Sequence, residues 1–452
     1  MSRARLLLPL LLFFFSPLFL FDAANAAKIQ ETTLSNGMKV ILQEEHKAPV
    51  VTFQIWYKVG SRNEVTGKTG LSHLTEHMMF KGTKKHGKGE FSRIVAKNGG
   101  NENAFTGNNY TAYFENFAAD RIGLSLELEP DRMQNLLVDP KEFLLERDVV
   151  KEERRMRTDD DPESYLIENL YAIAYMAHPY HNPVIGWMTD IGHLTRDELY
   201  RHYKTYYVPN NATVVVVGDF DAKVLLPRIE KAFGSIPKGP ELPKVEIVEP
   251  EQVGERRTVV RKEAQLPFVI VGYHSPNFKS PDVYALSVLA NLLSSGKSSR
   301  LYRSLVYDQQ IAIDAGGSYD GLSTDPELFY VYAVARPGKK PEDLETALYA
   351  EIEKIKEGPI SDTEMTKAKN QVEADYIMGQ DSNFFEAMQL GTAETVGAGV
   401  GYVEHYVENI RKVTSEDVRR VARTYFIKDH RNVGTLIPIA SNEATAPSVK
   451  GE

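Results

Sequence analysis

The sequence predicts two homologous α+β domains, each a mainly antiparallel sheet covered by helices on one face, and three observations carry that reading. The first is size: 452 residues, 42% hydrophobic and 25% charged with ordinary Gly and Pro content, fold as a globular protein but exceed one compact core. The second is a repeat. Residues 194–207 (LTRDELYRHYKTYY) align without gaps with residues 413–426 (VTSEDVRRVARTYF) at an offset of 219, and residues 49–53 match 267–271 at an offset of 218. The third is the irregular alternation of strand-like and helix-like segments within each half, which is the pattern of α+β rather than of a parallel α/β sheet.

The elements follow in order. Arg3 and Arg5 precede an apolar run over 6–21, and Ala24-Asn25-Ala26 forms a small-residue cleavage site. That order is a secretory signal, so 1–26 are expected to be removed and the product exported, in a bacterium to the periplasm. The run is short for a bilayer span and holds Pro9 and Pro17; no later stretch is long and apolar enough to cross a membrane. An N-terminal domain is expected over 27–238. It has strands at 39–43, 50–59 and within 103–117, and helices at 90–98 and 119–137. Thr195 with Glu198 reads as a capping box opening the repeated helix, which leads into the apolar strand 213–217 closed by Gly218-Asp219. Ile236-Pro237-Lys238-Gly239-Pro240-Glu241-Leu242-Pro243 lacks periodicity and starts an exposed linker, placed at 239–255. The second domain, 256–445, repeats the scheme, with Thr414 and Asp417 as its capping box and 433–437 as its strand.

Composition excludes several functions. The formal charge is −9 with Lys and Arg scattered, so no basic stripe for nucleic acid exists. The absence of cysteine removes disulfides, thiolate metal sites and a Cys nucleophile. Any metal must be held by His and carboxylates.

Among eleven histidines, His73 and His77 stand apart, in His73-Leu74-Thr75-Glu76-His77. On a helix the two imidazoles lie about 40° apart and Glu76 about 60° further round, so all three share one side. Leu71, Leu74 and Met78 form the adjoining apolar stripe. Imidazoles at i and i+4 can bind Zn²⁺ together, and H-x-x-E-H is the inverted zincin arrangement. A third ligand is then a carboxylate. In the charged helix around 146–155, Glu146 and Glu153 share a face while Glu152 points about 100° away. If that face meets the His helix, Glu153 can ligate and Glu146 can orient a ligand or the attacking water. His178 and His181 could suggest a second metal, but Pro179 and Pro183 disfavour the helix that would align them.

The sequence resembles the insulinase/pitrilysin family of zinc peptidases, in particular its mitochondrial processing peptidase-like bacterial branch. The likeness rests on 70–83 (GLSHLTEHMMFKGT), Asn103-Ala104-Phe105-Thr106 with Thr111 and Tyr113, 147–153 (RDVVKEE), and His178-Pro179-Tyr180 with Pro183-Val184-Ile185-Gly186. It implies one Zn²⁺ per chain held by His73, His77 and Glu153, with Glu76 as general base and Glu146 as supporting carboxylate. It further implies that extended peptide substrate pairs with the strand around Asn103, Ala104, Phe105 and Thr106.

One departure changes the expected assembly. Family members complete the site with an Arg and a Tyr seven residues apart in the second half, and those places hold Val306 and Ile313 here. Neither donates a hydrogen bond. The expectation is therefore a zinc-bearing subunit whose homologous partner supplies the Arg/Tyr pair. The rival is a non-catalytic scaffold subunit of the same fold, for which the set His73, Glu76, His77 and Glu153 has no physical use.

Overall fold

Continuous apolar runs, rather than alternating ones, decide this architecture. The computed structural model describes residues 29–439; the expected signal segment lies outside them. The first half carries β1 (Gln30–Thr33), β2 (Lys39–Glu44), β3 (Val50–Tyr57), β4 (Asn101–Thr106), β5 (Thr111–Ala118) and β6 (Ala212–Gly218), in the order β1-β2-β6-β3-β5-β4. The second carries β7 (Arg256–Glu263), β8 (Phe268–Ser275), β9 (Ala312–Ser318), β10 (Glu327–Ala335) and β11 (Arg431–Ile439), in the order β7-β11-β8-β10-β9. Apart from β1 the two orders are the same. In each, one parallel pair (β2 with β6, β7 with β11) joins otherwise antiparallel strands. The expected fold class and duplication are therefore observed.

The repeated segments occupy equivalent places. Thr195 and Glu198 cap the helix Arg196–Tyr206, Thr414 and Asp417 cap Ser415–Tyr425, both as reciprocal capping boxes. Each helix feeds the strand at the same position of its sheet, β6 or β11.

Coverage differs from the expectation of helices on one face only. Every residue of β6 is buried, because both faces of the sheet are covered, the condition that continuous Val runs anticipate. The outer cover comes from the other half. Helix Asn383–Val396, from the second half, lays Ala387 and Leu390 on Ile41, Trp56, Val215 and Val217 of the first sheet. Helix Pro162–Ala174, from the first half, lays Leu166 and Leu170 on Val260, Phe268, Ile270 and Leu436 of the second. Each domain thus lends one helix to its neighbour. The stretch expected as 119–137 helix is also broken, into a short turn Ala119–Arg121 and the helix Ser125–Asn135.

Residues 237–255 hold no helix or strand, yet they are tied down rather than free. Gly239 N–H donates to Asn210 at 2.7 Å, and the Glu249 carboxylate accepts the backbone N–H groups of Met176, Ala177 and His178. A clasp joins the halves nearby: Arg62 pairs with Asp325, and His178 lies 3.1 Å from the same carboxylate. Among the described residues no helix is long and apolar enough to cross a membrane.

Candidate metal centre

The helix Leu71–Met78 buries Leu71, Leu74 and Met78 and turns His73, Glu76 and His77 toward a cleft. Its N-cap is Gly70, at φ 89, which offers no capping side chain. Glu64 supplies the missing acceptor from six residues upstream, taking the Gly70 N–H at 2.7 Å and the Ser72 N–H at 2.6 Å. These two orphan N–H groups are satisfied by Glu64, whose carboxyl burial pushes up to about 8 against the opposing pull of the same hydrogen bonds. From the far side, buried His202 meets Ser72 Oγ at 3.3 Å.

The second helix, Pro140–Arg154, starts with Asp139 accepting two backbone N–H groups and Pro140 in its first turn. It runs past the His helix so that Glu146 and Glu153 face it. The ring of His77 meets Glu146 Oε1 through Nδ1 at 2.9 Å, and Lys81 Nζ lies 2.5 Å from Glu146 Oε2. A proton on Nδ1 leaves Nε2 with its lone pair outward. Glu153 Oε2 lies 3.2 Å from His77 Nε2 and 3.8 Å from His73 Nε2. Among the described residues, these three offer ligand atoms all within 4.8 Å of one another.

That geometry fits Zn²⁺. Tetrahedral bonds of about 2.0–2.1 Å place ligand atoms roughly 3.3 Å apart, and the two imidazole–carboxylate distances bracket this value. The donor set, two imidazoles and a carboxylate, suits the same ion. His73 Nδ1 is buried with no partner, so its ring has no competing use on the protein side.

Burial and neighbouring charges act differently on each group. Burial, with His77 close by, pushes His73 down to about 3, so it is a neutral imidazole at any ordinary pH. Burial lowers His77 as well, but its bond to Glu146 and the neighbouring carboxylates outweigh that and raise it. Burial raises the Glu76 carboxyl, with the Glu153 charge adding to it and the Thr106 hydroxyl opposing. Burial also acts to raise Glu146, but His77 and Lys81 outweigh it and hold it low, and therefore charged.

Strand β4 ends the sheet and pairs on one edge only, with β5. Its side chains alternate: Ala104 packs toward the His-helix side, whereas Phe105 sits on Trp56 across the sheet, ring centroids 5.3 Å apart. The Asn103 side chain accepts the Ala104 N–H. Thr106 donates its hydroxyl to Glu76 Oε2 at 2.5 Å, joining the edge strand to the carboxylate. Asn103, Ala104, Phe105, Thr106, Glu76, Glu146 and the three ligand candidates all border one cavity of about 590 Å³.

The fold thus brings His73, Glu76, His77, Asn103, Ala104, Phe105, Thr106, Glu146 and Glu153 to one cavity. It also shows some that sequence reasoning missed. Glu64 was signalled by a helix opening on Gly70 without a capping side chain, and Arg157 by its place one turn beyond Glu153, with which it pairs at 2.8 Å. His178 serves the clasp to Asp325, and His181 follows it in a short turn. Val306 packs on the second core and Ile313 lies half exposed on β9. Neither borders the cavities at the site. Arg303 and Tyr307, an Arg and a Tyr close to those places but four rather than seven residues apart, are exposed, and Arg303 faces Asp308.

A helix-borne H-x-x-E-H, a carboxylate from a second helix and an open sheet edge together define an inverted-zincin type of site on a duplicated α+β fold. Residues 39–187 match the family described as insulinase (peptidase family M16), and 193–372 match the peptidase M16 inactive domain. The zinc protease PqqE of Helicobacter pylori is 37% identical over 403 residues, covering 88% of this chain and 90% of that one. An uncharacterized zinc protease of Mycobacterium leprae, ML0855, is 29% identical over 424 residues, covering 93% and 94%. The crystal structure of a protease from Helicobacter pylori superposes with a TM-score of 0.88 at 36% identity, covering 91% of this chain and all of that one. The chain belongs to the M16 (insulinase) peptidase family.

Proposed function

We propose that this protein is an exported, periplasmic zinc metalloendopeptidase that hydrolyses extended peptides or unfolded segments, acting as the zinc-bearing subunit beside a homologous partner. One observation carries the reading: His73, His77 and Glu153 converge at ligand distances while Glu76, tied to an open strand edge by Thr106, stands beside them.

His73, His77 and Glu153 would hold the ion, which when bound supplies Lewis-acid polarisation of the carbonyl and a water acidified toward neutrality. Glu146 fixes the His77 ring by accepting its Nδ1 proton. Glu76 accepts a proton from the attacking water at Oε1, the oxygen not engaged by Thr106, and returns it to the departing amine. The free edge of β4 takes the peptide as an added strand. Main-chain pairing of that kind reads conformation more than sequence, which suits a broad substrate range.

The partner is inferred from Val306 and Ile313, which cannot stabilise an oxyanion. Loss of such donors costs roughly 10²–10³ in rate. The test is cleavage of a quenched, unstructured peptide by residues 27–452, alone and with a homologous chain carrying the Arg/Tyr pair. Activity rising by that factor on mixing supports the split site; full activity from the single chain refutes the partner, and none in either case refutes the peptidase.

A further inference from the structure

The helix that carries Glu153 ends in three arginines placed differently. Arg154 is buried and grips Glu168 with two bonds of 2.8 Å, and Arg155 pairs with Glu152. Arg157 follows in a wide π-type turn, Arg155–Asp159, a local unwinding of the kind that often re-aims a side chain at a functional site. That turn brings its guanidinium to Glu153 Oε1 at 2.8 Å, while the side chain remains 74% exposed.

Arg157 borders both the 590 Å³ cavity and an adjoining one of about 410 Å³. Thr158, Ser164 and Asn182 also line the second cavity, and Glu168 there is already neutralised by Arg154. Lys81, the other cation of the larger cavity, is taken by Glu146. The outer oxygen of Glu153 is therefore Arg157's sole ion-pair partner among the described residues. The inner oxygen faces the two imidazoles. A carboxylate committed there to a dication has little charge left for Arg157, which then stands as an unmatched cation between the two cavities along the open strand edge.

We propose that Arg157 is a specificity-determining residue that binds an acidic side chain, Asp or Glu, of the extended peptide close to the bond cleaved. This rests on the peptidase reading and narrows its substrate class. A guanidinium suits the task because it engages a carboxylate through two parallel N–H donors. The exposed pairing with Glu153 is cheap to exchange.

The test uses an unstructured peptide in which a single Asp or Lys is moved along the sequence. Binding is measured by fluorescence anisotropy in the Glu76→Gln background, hydrolysis in the native protein, both with and without a homologous partner, and zinc content in every variant. At one or two positions Asp should bind roughly 2- to 5-fold tighter than Lys, the worth of one partly exposed ion pair. Arg157→Lys should keep the preference, Arg157→Gln abolish it and Arg157→Glu invert it, each with zinc retained. Hydrolysis indifferent to charge overturns the inference alone. Loss of zinc in Arg157→Gln with the Asp preference intact also overturns it, making Arg157 a positioning residue for Glu153. No binding and no hydrolysis of any peptide overturns the peptidase reading and the inference with it.

Discussion

Substituting Gly391 by Ala should destabilise the protein, although at an ordinary helix position that change helps by about 1 kcal/mol. Gly391 lies in the helix that the second half lends to the first sheet, and an added Cβ would stand 2.1 Å from Trp56 Cε2 and 2.2 Å from Nε1. Carbon atoms in contact need about 3.5 Å, so the indole or the helix must move by more than about 1 Å. Trp56 has little room: it is fully buried, its Nε1 donates to Gln54 at 2.9 Å, and its ring is flanked by Phe105 and Tyr110. Overpacking costs about 1–3 kcal/mol and a strained buried hydrogen bond about 1 more, which leaves a net loss of about 1–3 kcal/mol. Urea unfolding measures it. A double variant with Trp56→Leu should recover part of the Gly391→Ala penalty, since the two effects share one contact. Because Phe105 belongs to β4, the single variant should also weaken peptide binding at the edge strand. A neutral or stabilising Gly391→Ala would refute the reciprocal helix exchange.

Other consequences are accessible to simple measurements. Glu146→Gln should lower zinc affinity roughly 10- to 100-fold in competition with a chelator, as loss of a ligand's orienting partner does; unchanged affinity would remove Glu146 from the site. The clasp predicts an acid effect. Burial pushes the Asp325 carboxyl up, but His178 and Arg62 outweigh it and hold it down at about 2. A depressed carboxyl adds stability above its unfolded value near 4, and that contribution is lost as pH falls from about 4 through about 2. Asp325→Asn should therefore cost roughly 2 kcal/mol near neutrality and show a shallower acid limb than the native protein over that window, followed by circular dichroism.

Legibility followed the range of the interaction. His73, Glu76 and His77 were readable because helical geometry alone puts them on one side, and Glu153 was singled out over Glu152 by the same arithmetic. The equivalence of the two sheets was anticipated through the repeat, and their strand order was not: similar helices capped by Thr195 and Thr414 lead into strands that occupy equivalent places. Contacts between distant segments were not readable. The Thr106 hydroxyl on Glu76 and the pairing of Asp325 with Arg62 each need tertiary geometry that no local pattern encodes. The exchanged helices escaped notice for the same reason. Their apolar faces are explicit in Leu166, Leu170, Ala387 and Leu390, but nothing local says which sheet they cover.

The central claim is that Glu76 works on chemistry supported by His73, His77 and Glu153 without itself holding the ion. Zinc stoichiometry and peptide hydrolysis, measured together for the native protein and for Glu76→Gln with the homologous partner present, test it most directly. One zinc per chain is expected in both, with hydrolysis lost in the variant by at least about 10²-fold. Hydrolysis persisting in Glu76→Gln with zinc in place, or zinc lost together with the Glu76 carboxylate, would contradict it.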